Sequence, residues 1–225
     1  MKKSILFHGS RQIVEKPEFG LGNPKNDYGL GFYCTKNIEL AKEWACSEEN
    51  NGFANKYELN IEGLSTQNLN GKGFSILNWM AVLLENRTFD ISTPLALQAK
   101  EYILDHFLPD YKSHDIIIGY RADDSYFSFS KAFLNNSISL QQLDKAMHLG
   151  KLGEQYVIKS KEAFERIKFV EAIPAKRSVY YPKRKSRDSN ARQSYTEMLA
   201  QVPVSEALYI MDIIRKKIGN NDLII

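Results

Sequence analysis

Strand signals recur from residue 4 to residue 175 of this chain, but helical stretches separate them at irregular intervals, without a regular βαβ repeat. Residues 4–9 read as a short buried strand. A loop over 11–31, rich in Gly, Pro and Asn, ends in "DYGLGFYCT", where Phe32-Tyr33-Cys34-Thr35 resumes extended character. "NKYELNIEGL" (55–64) alternates polar and apolar residues, and "HDIIIGYRA" (114–122), "EQYVIKS" (154–160) and "IKFVEAIPA" (167–175) read as further strands. Helices are predicted from Ile38, capped by Asn37, over 75–87, and over 94–108 with Pro94 in the first turn. "SYFSFSKAFLNN" is helical or turn-like, Ser139 and Gln142 form a capping box for 140–149 with Gly150 as its stop, and 161–164 form a short helical turn. There is no internal repeat. This order predicts an α+β fold with a mostly antiparallel sheet flanked by helices.

At 225 residues, 43% hydrophobic and 25% charged, the chain can bury a sizeable core. The two cysteines, Cys34 and Cys46, are expected as free thiols, because a chain this long needs no staples. A net charge of +3 is too small to imply nucleic acid by itself. The apolar run after Met1-Lys2-Lys3 stops at Phe7, and nothing approaches the ~20 apolar residues of a membrane span. The expectation is a cytoplasmic protein with no membrane partner. Composition shifts after Pro174: Lys176, Arg177, Lys183, Arg184, Lys185 and Arg187 crowd a stretch without acids. We therefore expect a functional body over 1–175 and, over 176–225, a basic connector and C-terminal helices broken at Pro203. In the last helix Ala207, Ile210, Met211, Ile214 and Ile218 form an apolar stripe.

Chemistry concentrates in two places. "FHGSR" puts His8, Gly9, Ser10 and Arg11 directly after a buried strand, and "GLGFYCT" leads from Tyr33 into a helix carrying Trp44. A tyrosine at a strand end and an aromatic one helix later can sandwich a flat ring, worth roughly 1–3 kcal/mol per face when water is excluded. Asp27 and Tyr28 either line the mouth of such a site or build its turn.

The pattern "HGSR … GLGFYxTxxxxxAxxW" resembles the NAD-binding half of the ADP-ribosyltransferase fold, in the histidine-tyrosine-glutamate branch that includes diphtheria toxin and the poly(ADP-ribose) polymerases. Within that branch it is most similar to a bacterial family of uncharacterised function whose members share the His-Gly-Ser opening and the Gly-x-Gly-Phe-Tyr run. The resemblance covers about residues 4–170. It implies that His8 bonds the hydroxyls of the nicotinamide-side ribose and that Gly9 offers backbone N–H and C=O to the carboxamide. Ser10 and Arg11 would sit nearby, with Arg11 a pyrophosphate partner; Tyr33 would stack on nicotinamide, and Trp44 would take the second stacking position. NAD would be a substrate whose glycosidic bond to nicotinamide loosens, giving an oxocarbenium-like ribose captured by an acceptor.

The family's glutamate opens a strand of the form Glu-Tyr-Ile-Val. Here the text is "GEQYVIKS": Gln155 stands at that position and Glu154 one residue earlier. Losing a positioned charge typically costs about 3–4 kcal/mol in the barrier. Strand alternation points Glu154 away unless a bulge re-aims it. Asp123 and Asp124 are a second acidic candidate, for holding ribose or activating an acceptor, or else a solvated loop whose aspartates pair with Arg121 or cap the next helix. His8, His106, His114 and His148 share no metal-ligand spacing, so no metal is expected. The reading is a mono-ADP-ribosyltransferase acting on a macromolecular acceptor. The family's company adds a toxin–antitoxin or defence role, with an antitoxin as partner, and the basic run 176–187 could contact phosphates, an acidic partner protein or only water. Its rivals are an NAD- or ADP-ribose-binding module without turnover, and a nucleic-acid-directed modifier that uses 176–187.

Overall fold

The computed structural model describes residues 2–122, 124–200 and 207–223. Its contacts divide the chain into two interleaved units, one of Met1–Asn68, Asp110–Arg121 and Gly153–Arg187, the other of Leu69–Pro109, Ala122–Leu152 and Asp188–Ile225. The division does not fall at residue 175, where the sequence places it, because helical segments are inserted between the strands of one body.

The first unit is α+β. β1 (Lys3–Ser10), β3 (Gly52–Asn60) and β7 (Ile167–Ala175) form an antiparallel sheet in the order β1-β3-β7. β2 (Phe32–Cys34), β6 (Glu154–Ile158), β5 (Ile116–Tyr120) and β4 (Thr66–Asn68) form a second, in the order β2-β6-β5-β4, with only β4–β5 parallel. A bridge ties the two: Phe7 and Thr35 exchange N–H···O bonds of 2.8 and 2.9 Å. Leu6 and Leu59 from one sheet pack with Cys34, Ile116 and Ile158 from the other, so the core lies where the inward faces meet. This is what alternation in each strand demands: Leu6 is fully buried while Ile5 beside it is exposed.

α1 (Ile38–Ala45) starts where predicted, with Asn37 Oδ1 accepting from the N–H groups of Glu39 and Leu40. α6 (Lys161–Glu165) is a short helix capped by Ser160. The stretch expected as a connector is helical: α7 (Arg177–Leu199) carries Pro182 inside it. Its basic residues meet acids of α1 and a backbone carbonyl of the turn after it. Lys183 lies 3.2 Å from Glu39, Arg187 pairs with Glu43, and Arg177 donates to the Glu48 carbonyl. Opposite charge on a neighbouring element, invisible to local composition, is why this segment is not a solvated linker.

The second unit is helical among its described residues. α2 (Ile76–Asn86) is buried from Ile76 to Leu84, hydrophobic all round as a central helix must be. α3 (Pro94–Phe107), α4 (Asp124–Leu134) and α5 (Leu140–Met147) accompany it, α5 opened by the predicted Ser139–Gln142 capping box. α8 (Ile210–Arg215) and α9 (Asn220–Leu223) follow. Of the predicted five-residue stripe only Ile210 is fully buried, joined by Ile213, which the stripe did not include, because α8 is short and the chain turns at Lys217. Pro203, the expected break, lies outside the described residues. No described helix is long and apolar enough to cross a membrane.

Candidate active site

His8, Gly9, Ser10, Arg11, Tyr33, Trp44, Glu154 and Gln155 all fall in the first unit. Asn55, fully buried on β3, organises the end of β1. Its Oδ1 accepts from Val14 N–H at 3.1 Å, and its Nδ2 donates to the carbonyls of His8 (3.3 Å) and Gln12 (3.2 Å). The Tyr57 hydroxyl donates to the Val14 carbonyl. These bonds give the His-Gly-Ser-Arg segment its shape. Sequence reading passed over Asn55, since its partners are 41 to 47 residues away.

His8 Nδ1 lies 2.7 Å from the Tyr33 carbonyl oxygen. A carbonyl can only accept, so we assign the proton to Nδ1, which leaves Nε2 of the neutral ring as an acceptor. Burial pushes the His8 pKa below its ordinary value, and the Tyr33 carbonyl partly opposes that shift. The imidazole is therefore neutral at pH 7. Phe32 holds its flank, with ring centroids 4.4 Å apart.

Gly9 is needed for a reason the sequence did not show. A Cβ there would stand 2.1 Å from the Ala41 carbonyl oxygen and 2.9 Å from Trp44 Cβ, because α1 crosses β1 at this point. β1 is the edge strand of its sheet, and Phe7 spends its N–H and C=O on Thr35. Two residues on, alternation turns the N–H and C=O of Gly9 to that same edge. Trp44 carries the Arg121 guanidinium 4.2 Å above its ring, and its Nε1 is buried with no hydrogen-bond partner among the described residues. Ser10 Oγ accepts from Gln12 N–H, and exposed Arg11 donates to Asn50 Oδ1 at 3.2 Å.

The Tyr33 hydroxyl donates to the Gly29 carbonyl and accepts from Tyr28 N–H, pinning the ring to the preceding turn. Tyr28 is buried and its hydroxyl donates to the Tyr120 carbonyl at 2.6 Å. It lies so close over Gly119 that a Cβ there would come within 2.1 Å of the hydroxyl oxygen. Lys159 donates to the Tyr28 and Leu30 carbonyls. Tyr33 pairs with Val157, so Gln155, two residues along β6, shares its face of the sheet. Gln155 is 4% exposed, and its Nε2 donates to Oδ2 of Asp27, itself 6% exposed, at 2.8 Å. Asp27, left open by the sequence, thus sits beside Gln155.

Glu154 does not share this place. β6 pairs with β5 without a bulge from Glu154 to Ile158, so Glu154 stays on the face opposite Gln155. Asp123 lies outside the described residues, as does the Asp124 side chain. Cys34 and Cys46 are free and buried; burial drives the Cys34 thiol far above its ordinary pKa, which suits a core residue and not a nucleophile. No cluster of His, Cys, Asp and Glu suited to a metal occurs among the described residues.

No curated protein and no solved structure matches the chain. A family model described as a protein of unknown function (DUF3990) matches residues 4–169, a span running from the first strand into the last strand of the two sheets and including every candidate residue above. The chain belongs to the DUF3990 family.

Proposed function

We propose that this protein is a mono-ADP-ribosyltransferase with NAD as its substrate and a macromolecule as its acceptor. The observation that carries the reading is the pairing of a neutral His8, fixed by its Nδ1–H to the Tyr33 carbonyl, with a neighbouring glycine whose backbone groups face an unextended sheet edge. An N–H and C=O side by side are what a carboxamide requires, and an imidazole acceptor suits a ribose hydroxyl. The orphaned Trp44 Nε1 adds a buried donor beside the same glycine.

In this reaction the bond between ribose C1′ and nicotinamide breaks with its electron pair leaving on nicotinamide, while an acceptor O–H or N–H joins C1′ and releases its proton to solvent. His8 orients the ribose, Gly9 the carboxamide, and the rings of Tyr33 and Trp44 exclude water from the nicotinamide. Arg11 is exposed and suited to the pyrophosphate.

A second reading, a binding module without turnover, is favoured by one observation: the residue at the glutamate position is the neutral Gln155. The nucleic-acid reading draws less support, because Arg177, Lys183 and Arg187 of the basic run already bond within the chain. Nicotinamide release from NAD, with and without cell lysate and beside Tyr33→Ala, tests the proposal. Release that needs lysate and is lost in the variant supports a transferase. Binding without release supports the module, and no binding overturns both.

A further inference from the structure

We propose that Asp27 is a positioning residue that makes Gln155 serve where the enzymes this chain resembles use glutamate; this rests on the NAD reading above. A carboxylate offers no N–H, so the 2.8 Å contact requires the amide nitrogen of Gln155 to face Asp27. The Gln155 carbonyl oxygen is thereby turned away from Asp27 and offered as an acceptor. A free glutamine could present either end. This one is held to the hydrogen-bonding behaviour of a single carboxylate oxygen, suited to a ribose hydroxyl.

The charge matters as well as the orientation. An N–H donated to a carboxylate polarises the amide and increases electron density on its oxygen, most strongly where water is excluded. With Asp27 ionised, the negative charge missing from position 155 is supplied one hydrogen bond away, between two buried partners.

The turn that carries Asp27 is built to hold it. Tyr28 is anchored by its hydroxyl to Tyr120, by its N–H to the Tyr33 hydroxyl and by its carbonyl to Lys159. It also fits against Gly119, the residue that pairs with Gln155 across β5 and β6. The same tyrosine proposed to stack on nicotinamide therefore helps fix the residue that orients Gln155.

Asp27→Asn tests the charge alone, because its amide oxygen can still accept from Gln155. With the purified full chain and NAD, we expect kcat for nicotinamide release to fall about 100-fold. The calorimetric Kd for NAD should stay within about threefold of wild type (well under 1 kcal/mol), and the urea midpoint of the ligand-free chain should hold. The double variant Asp27→Asn/Gln155→Glu, which moves the carboxylate across the same hydrogen bond, should recover kcat to within about tenfold of wild type. A lowered urea midpoint in Asp27→Asn with kcat of the folded fraction unchanged would show a structural pair and overturn the inference. So would a double variant that folds and binds NAD but regains no turnover. Absence of release from the wild type, with or without lysate, overturns the transferase reading and this inference with it, whereas wild-type release that Asp27→Asn leaves intact overturns this inference alone.

Discussion

Arg187 holds Glu43 with two hydrogen bonds of 2.9 Å, Nε to Oε2 and Nη2 to Oε1, and the Glu43 side chain is only 4% exposed. The pair locks α7 to α1, the helix whose Ala41 and Trp44 press on Gly9. Cutting it leaves a buried carboxylate without its cation. We expect Arg187→Ala to lower unfolding free energy by about 2–4 kcal/mol in urea titration. Arg187→Lys should lie in between, since an ammonium cannot reproduce the two-pronged contact.

His8 makes stability depend on pH. Its folded-state pKa lies below 6.5, the ordinary value, because burial disfavours the charged ring. Above that pH the ring is neutral in both states and costs nothing. As pH falls through 6.5 the unfolded chain binds a proton that the folded chain refuses, so stability drops until the folded-state value is passed. His8→Gln, whose amide can still donate to the Tyr33 carbonyl, should remove this part of the slope. Urea midpoints of the two proteins between pH 8 and pH 5 measure it: the curves should separate on the acid side.

Asn55→Ala should cost about 2–4 kcal/mol, because Val14 N–H and two carbonyls lose a buried partner together. Ser10→Ala, which removes one hydroxyl acceptor near the surface, should cost about 0.5 kcal/mol or less. Calorimetric NAD titration should show the first variant weakened as well, since residues 8–14 lose their anchor.

The two crowded glycines give a matched pair. Gly9→Ala drives a methyl into the α1 backbone, which cannot yield easily, whereas Gly119→Ala meets the end of the Tyr28 side chain. Both should destabilise, by about 1–3 kcal/mol or more. Gly119→Ala should additionally release the turn over Gln155. Amide hydrogen exchange at Tyr28, Gly29 and Tyr33 reads that release: protection there should fall in Gly119→Ala and hold in Gly9→Ala.

Local pattern by itself determined most of the elements, because caps, turns and periodicity act over a few residues. Asn37, Ser139 with Gln142, and the strand over 167–175 each appear in the structure where the sequence puts them. The cluster of His8, Gly9, Tyr33 and Trp44 was legible for the same reason, each half being a short run around a strand end. Contacts across the chain were decided by the tertiary structure alone. Asp27 reaches Gln155 over 128 positions, Asn55 reaches His8 over 47, and Arg187 reaches Glu43 over 144. Composition showed Arg187 only as part of a basic connector, since the acids that pair with that run lie on another helix. Glycine 9 reads in the sequence as a place for a ligand; only the helix packed against it shows that its missing side chain makes room for protein. A side chain's type and spacing can be read along one dimension, but its partner is chosen by which surfaces the fold brings into contact and strips of water.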